Sequence, residues 1–273
     1  MREYRVKSVE ALARGLRVLG ALEEMRAASL HELHTATGLP KSTLIRILYT
    51  CHQEGQVWQR MADGAFLLRH TGRRRQPPDD ADWLAELASP VLERLCDTVR
   101  WPSVLSVPRL HYMSVVETNS RRAYFDALPE HPVDFRANML RSASGRAYLA
   151  FCPEQERAAV LRRLREPDVP GHELAHDPDA VRQIVETTRR RGYGVRAPDF
   201  GGDYALTRAE VDDGRDSIAM PIVVDGHVFG CVNLTWRNTA MTVKQVTKWH
   251  LDDLRAAVTE IRDRAAAYLA VDR

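Results

Sequence analysis

The stretch Ser29-Leu-His-Glu-Leu-His-Thr-Ala-Thr-Gly-Leu-Pro-Lys-Ser-Thr-Leu-Ile-Arg46 decides the fold of the amino-terminal third. Ser29 and Glu32 have the spacing of a capping box, in which serine and glutamate satisfy each other's orphan backbone donors and so start a helix. That helix runs to about Thr37, and Gly38 breaks it. After the turn Gly38-Leu39-Pro40 a further helix is predicted over Lys41 to Glu54. It buries Leu44, Ile47, Leu48 and Cys51 and exposes Lys41, Ser42, Thr43, Arg46, Tyr49 and Gln53.

Working outward, Val9, Leu12, Ala13, Leu16, Leu19 and Leu22 recur at helical spacing and predict a core-facing first helix with Ser8 as its cap. On the other side Gly55 is a stop. Gln56 to Arg60 and Ala65 to Leu68 then read as short strands joined through Asp63-Gly64, a dipeptide suited to a hairpin. Three helices and a hairpin make a winged helix-turn-helix, in which a short turn lets the last helix present its exposed residues to base edges.

Charge agrees with that expectation. The 273 residues carry a net charge of +2, but residues 1–75 hold 13 Lys/Arg against 7 Asp/Glu, while the remainder holds 26 against 30. A basic front and an acidic back suit a nucleic-acid reader joined to a second function. Arg46 matches the two acceptors of guanine, Ser42, Thr43 and Tyr49 lie on the same face, and Lys41, Arg60 and Arg69 suit phosphate contact.

The run Thr71 to Asp80, with its turn formers and two prolines, reads as a boundary. Beyond it Leu84, Leu87, Ala88, Val91, Leu92, Leu95 and Val99 predict a connecting helix that Pro90 should kink or restart. From Ser103 onward short β-rich runs (Val104–Val107, Tyr112–Val116) precede helices at Ser144–Phe151, Pro153–Arg165 and Pro178–Arg191. Ser217–Val224 and Val228–Trp236 flank Asp225-Gly226, the clearest hairpin. A final helix opens on the Thr242/Gln245 capping box, with Val246, Leu254, Val258, Ile261, Ala265 and Leu269 on one face. The expected class is α+β, with helices packed on an antiparallel sheet, and three parts at 1–75, 76–100 and 101–273.

Several chemistries lack an anchor. Cys51, Cys96, Cys152 and Cys231 are scattered and read as reduced thiols, so no metal and no cofactor are expected. His31-Glu32-Leu33-His34 places its histidines three apart, whereas a zinc protease helix needs four. Asn233-Leu-Thr235 matches a glycosylation acceptor, without meaning for a cytoplasmic chain, and neither a nucleophile elbow nor a phosphate loop occurs, so no catalytic residue is expected. Without an apolar run of about 20 residues or a signal-like start, a cytoplasmic location follows.

Leu16-Arg-Val-Leu19, Thr37-Gly-Leu-Pro-Lys-Ser-Thr43 and Glu54-Gly-Gln-Val57 resemble the IclR family of bacterial regulators. The likeness continues through Ser142-Ala-Ser-Gly-Arg-Ala147, Arg190-Arg-Gly-Tyr193, Ser217-Ile-Ala-Met-Pro221 and Gly230-Cys-Val-Asn-Leu-Thr235. Arg100-Trp-Pro102, Leu149-Ala-Phe-Cys-Pro-Glu-Gln155 and Ala240-Met-Thr242 are most similar to the branch that activates 3-hydroxyphenylpropionate catabolism. The resemblance implies a GAF-like effector domain, a homodimer or homotetramer, a near-palindromic double-stranded DNA operator and no membrane partner. It also implies a pocket for a small aromatic carboxylate between the helix after Ala143-Ser144 and the hairpin strands, with donors from Ser217, Asn233 and Thr235. Many members carry an acidic residue where this chain has Thr207, and a cysteine at Ser217. Arg141 or Arg146 would supply a counter-charge, and Met139, Leu140 and Met220 apolar walls. The alternatives are a repressor of another catabolic operon, a small-molecule hydrolase with an amino-terminal dimerisation domain, and a protein-binding adaptor.

Overall fold

The computed structural model describes residues 7–70, 81–123, 132–169 and 173–271. The chain divides into two compact units, Met1–Gln76 and Pro77–Arg273. The expected boundary run at 71–80 lies outside the described residues.

The first unit contains α1 (Glu10–Met25), β1 (Ala27–Ala28), α2 (Leu30–Thr37), α3 (Lys41–Gln53), β2 (Val57–Gln59) and β3 (Phe66–Leu68). The capping box at Ser29 and Glu32 is formed in both directions, and Gly38 ends α2 at φ 69°, in the left-handed region that a side chain would strain. His34 closes the turn by pairing its Nδ1 with the Leu39 carbonyl at 2.7 Å, which makes it a structural histidine. The core joins Val18, Leu22, Ala28, Leu33, Leu39, Leu44, Leu48 and Val57. The wing is a three-stranded sheet in the order β1-β3-β2, and its two-residue first strand is too short to leave a periodic signal.

The first helix departs from expectation. It begins after Val9 with no side-chain cap, so Ser8 plays no capping part. Its buried residues are Val18 and Leu22, whereas Val9, Leu12 and Leu16 are 65%, 59% and 59% exposed. Apolar residues occupy two faces of α1, and only one of them can meet α2 and α3 in so small a unit. Periodicity finds both faces but does not rank them.

The second unit contains α4 (Asp82–Val99), β4 (Ser103–Pro108), β5 (Tyr112–Thr118), β6 (Arg136–Asn138), α5 (Ala143–Phe151), α6 (Glu154–Leu164), α7 (Pro178–Arg191), β7 (Gly194–Val195), β8 (Arg215–Val224), β9 (His227–Arg237) and α8 (Val243–Val271). Its sheet runs β6-β5-β4-β9-β8-β7 and every pairing is antiparallel. Asp225 and Gly226 both take positive φ, 49° and 81°, the geometry that a two-residue hairpin turn demands.

The helices α4 and α8 pack together. Trp83 stacks on Tyr268 with ring centroids 5.1 Å apart, and Arg94 reaches Glu260 with both oxygens within 2.8 Å. Pro90 neither restarts nor ends α4, which is continuous from Asp82 to Val99. Burial of Trp83, Leu84, Ala88, Val91, Leu92 and Leu95 holds the helix through the one backbone bond that proline deletes. Elsewhere in the unit α5 packs with α7 and rests on β7, β8 and β9. Gly194 permits that seating, since a Cβ there would collide with the Ala143 carbonyl oxygen.

Candidate functional site

Among the described residues, two places gather side chains able to recognise a partner, one in each unit. In the first, α3 follows Pro40, whose carbonyl accepts from Thr43 and Leu44. The amides of Lys41 and Ser42 precede the first helical bond and, with the positive end of the helix dipole, favour an anion such as a phosphate. Leu44 and Leu48 anchor α3 in the core, which turns Lys41, Ser42, Ile45, Arg46 and Tyr49 outward. Thr43 and Arg46 border a groove between α1 and α3 that also contains Leu12, Leu16, Ile47 and Thr50.

Ile45, 54% exposed, was not singled out from the sequence. The available signal was an apolar residue falling outside the buried row of α3, and such a side chain suits contact with a thymine methyl group.

Arg60 is a correction. It is 9% exposed and its guanidinium grips Asp63, with Nε to Oδ1 at 3.1 Å and an Nη to Oδ2 at 2.6 Å. The chain direction changes between β2 and β3, and this ion pair fastens the loop rather than presenting a cation to phosphate. Burial pushes the Asp63 carboxyl up, but hydrogen bonds from Arg60 and the Ala65 amide outweigh it and hold the carboxyl below its usual value.

The second place is a cavity of about 30 Å³, lined by Val104, Ser106, Val115, Phe135, Ala137, Ser142, Ala143, Ser144, Arg196, Phe200, Ser217, Asn233 and Thr235. Strand alternation explains the set. Ser217 lies opposite Thr235 and Asn233 opposite Val104, so the three strands β8, β9 and β4 turn one face to the start of α5. Ser142 caps α5 by accepting from the Gly145 amide at 3.0 Å, and its hydroxyl lies 3.3 Å from that of Ser144. Asn233 donates to the Thr235 hydroxyl at 2.9 Å.

Five of the six effector residues expected from the sequence, Ala143, Ser144, Ser217, Asn233 and Thr235, thus border one cavity. Thr207 does not. It sits in the segment 196–213, where its amide and hydroxyl both donate to Glu210 at 2.8 and 2.7 Å. Met139, Leu140 and Met220 do not form the walls either, because Met139 and Leu140 pack into the core around α5.

The cation beside the cavity is Arg196, not Arg141 or Arg146. Arg146 donates to the carbonyls of Leu140 and Val195, and Arg141 to that of Ala205, which ties both to the backbone. Arg196 holds Asp213 through two bonds of 3.0 and 2.8 Å, donates to the Phe200 carbonyl and lies 4.8 Å above the Phe200 ring. Burial draws its pKa down and the Asp213 carboxylate resists that pull. No sequence motif marked it, since its partners lie in an irregular segment. That segment closes the cavity with Phe200 and is fastened by Arg196–Asp213, Arg208–Asp216 and the Asn138 amide on the Tyr204 carbonyl.

Residues 11–60 match the IclR helix-turn-helix domain. The chain is 25% identical over 199 residues to the "Probable HTH-type transcriptional regulator ArcR" of Halobacterium salinarum, a match covering 69% of this chain and 72% of that protein. The amino-terminal helix-turn-helix is of the IclR type. Solved structures agree with its fold along nearly the whole length. The IclR protein of Thermotoga maritima has a TM-score of 0.53 at 16% identity, covering 95% of this chain and 100% of that one. An IclR homologue from Microbacterium hydrocarbonoxydans, solved in complex with 4-hydroxybenzoate, has a TM-score of 0.50 at 25% identity, covering 93% and 98%. The matched helix-turn-helix domain implies DNA binding, and the relative of Halobacterium salinarum carries the name of a transcriptional regulator. Among the described residues no helix is long and apolar enough to cross a membrane, and no cluster of three His, Cys, Asp or Glu is placed to hold a metal.

Proposed function

We propose that this regulator activates an aromatic-acid catabolic operon and is controlled by a small aromatic carboxylate bound between α5 and the β8–β9 hairpin. The observation that carries the reading is the convergence of Ser142, Ser144, Ser217, Asn233 and Thr235 on one cavity at a helix start. Amides there and small hydroxyls can hold a carboxylate without a free cation. The relative solved with 4-hydroxybenzoate supports the ligand class.

A cavity of 30 Å³ holds little more than a water molecule, so an aromatic acid is admitted only as Phe200 and the segment 196–213 yield. Effector binding therefore acts on that segment, and we take its movement to be the event that alters DNA affinity. The same small volume favours, as a second reading, a three-carbon acid such as pyruvate.

On DNA, Arg46 reads a base, Ser42, Thr43 and Tyr49 contact bases or phosphates, and Lys41 with the first α3 amides holds a phosphate. The operator is near-palindromic and the protein a homo-oligomer. The exposed apolar row Val9, Leu12 and Leu16 supports self-association, because a row of that kind on α1 is stabilised by a second copy.

Fluorescence anisotropy on DNA from beside the gene, against scrambled DNA, at two salt concentrations and with hydroxylated phenylpropionates, phenylacetates, 4-hydroxybenzoate and pyruvate tests the reading. It predicts sequence-dependent affinity that one acid shifts. Equal, weak binding to both DNAs that no acid changes contradicts it.

A further inference from the structure

Ser106 lies on β4, 1% exposed, and lines the cavity. Its Oγ has no hydrogen-bond partner. Buried hydroxyls almost always have one. Ser103, three residues earlier on the same strand, shows the usual state, with its hydroxyl accepting from Asn119 at 2.7 Å. An unpartnered buried hydroxyl inside a cavity where Ser142, Ser144, Arg196, Asn233 and Thr235 are all hydrogen-bonded marks a place where the occupant supplies the missing bond.

Sheet register places it. Ser106 lies opposite Cys231 on β9, Asn233 is two residues further along that strand, and Asn233 lies opposite Ala219 on β8, two residues from Ser217. Ser106, Asn233 and Ser217 thus form a diagonal row across three strands, on the face that meets α5. Each diagonal step is about 7–8 Å, so the ends of the row stand roughly 15 Å apart. Subtracting two short side chains and two hydrogen bonds of about 2.8 Å leaves roughly 6–7 Å between the polar ends of a molecule that touches both.

We propose that Ser106 is the specificity-determining residue of the effector cavity, hydrogen-bonding a hydroxyl at the end of the acid opposite its carboxylate. The inference rests on the carboxylate reading above and adds the far end of the ligand. With the carboxylate at Ser217 and the start of α5, the row suits a benzene ring substituted in the para position. An ortho hydroxyl lies beside the carboxylate and stays far from Ser106.

The test is calorimetric titration of the full chain with 4-hydroxybenzoate, 2-hydroxybenzoate and benzoate, using wild type, Ser106→Ala, Ser106→Cys and Ser217→Ala, with thermal melts of each variant. Wild type is expected to prefer 4-hydroxybenzoate to benzoate by tenfold or more, since a lone buried hydroxyl discriminates against a ligand that leaves it unpaired. In Ser106→Ala the preference collapses to near unity while benzoate affinity and the melting temperature hold. Ser106→Cys falls between. A para-hydroxyl preference that survives Ser106→Ala overturns the proposal but leaves the carboxylate reading standing, provided Ser217→Ala weakens all three acids. Binding of none of the three acids by wild type, or binding of all three by Ser217→Ala as tightly as by wild type, overturns the carboxylate reading and this proposal with it.

Discussion

The two candidate recognition surfaces of this protein are built in opposite ways. On α3, Lys41, Ser42, Ile45, Arg46 and Tyr49 stand in solvent on a helix held from behind by Leu44 and Leu48. In the second unit the polar residues are turned inward, the cavity is nearly filled, and its cation is already neutralised by Asp213. A surface that meets a long charged polymer keeps its charges available, because phosphate attraction supplies most of the affinity. A cavity that must discriminate one small molecule instead satisfies nearly every group in advance, so that what remains unsatisfied carries the selectivity.

That contrast is broken or sharpened by substitutions, of which the largest effect is expected at Asp213. Asp213→Ala leaves the Arg196 guanidinium, 3% exposed, without its carboxylate. Removing one member of a buried pair costs about 3–5 kcal/mol, and partial exposure of Asp213 puts this site at the lower end. Urea unfolding should show the loss in the second unit, and acid binding should weaken with it. An unchanged midpoint would mean that the segment 196–213 is not fastened by this pair.

Next in size is Arg46→Ala, expected to cost about 1–3 kcal/mol at one base position while leaving acid affinity alone. A binding selection on randomised operators reads this as relaxed preference at a single position. Lys41→Ala, by comparison, should weaken all sequences alike and reduce the salt dependence.

A smaller loss, about 1 kcal/mol, is expected for Ser29→Ala, which removes the capping box that sets the turn before α3. Thermal melts of the full chain should show it in the first unit.

The smallest effect concerns acid. The Asp63 carboxyl has a lowered pKa in the folded wing, so its contribution is present above the ordinary aspartate value near pH 4 and disappears as pH falls through the folded value. Asp63→Asn should lower stability at neutral pH, where the contribution is present, and flatten the profile below pH 4, where the wild type loses it.

Legibility in the sequence follows the same division. The helices α2 and α3 and the β8–β9 hairpin are written in local signals, namely the Ser29/Glu32 box, Gly38 and Asp225-Gly226, each of which needs only its neighbours. The outward residues of α3 follow from one period. The cavity draws on β4, β5, β6, α5, β8, β9 and an irregular segment, so no single period contains it. Ser217, Asn233 and Thr235 were named through resemblance, whereas Ser106 reads as ordinary strand polarity and Arg196 as one arginine among many. Thr207 and Arg60 show the converse: the residue types suit binding, but Glu210 and Asp63 already engage them. On α1 two apolar rows compete, and only packing reveals that Val18 and Leu22 belong to the core.

The central claim is that an acid in the closed cavity governs how α3 holds DNA. It is tested most directly by anisotropy of the full-length protein on its own promoter DNA, titrated with 4-hydroxybenzoate, for wild type beside Ser217→Ala and Arg46→Ala. The account predicts that the acid shifts operator affinity of wild type, that Ser217→Ala binds the operator as wild type does but needs more acid for the same shift, and that Arg46→Ala loses operator preference with or without acid. An operator affinity that no concentration of acid alters, or an acid response identical in wild type and Ser217→Ala, would contradict it.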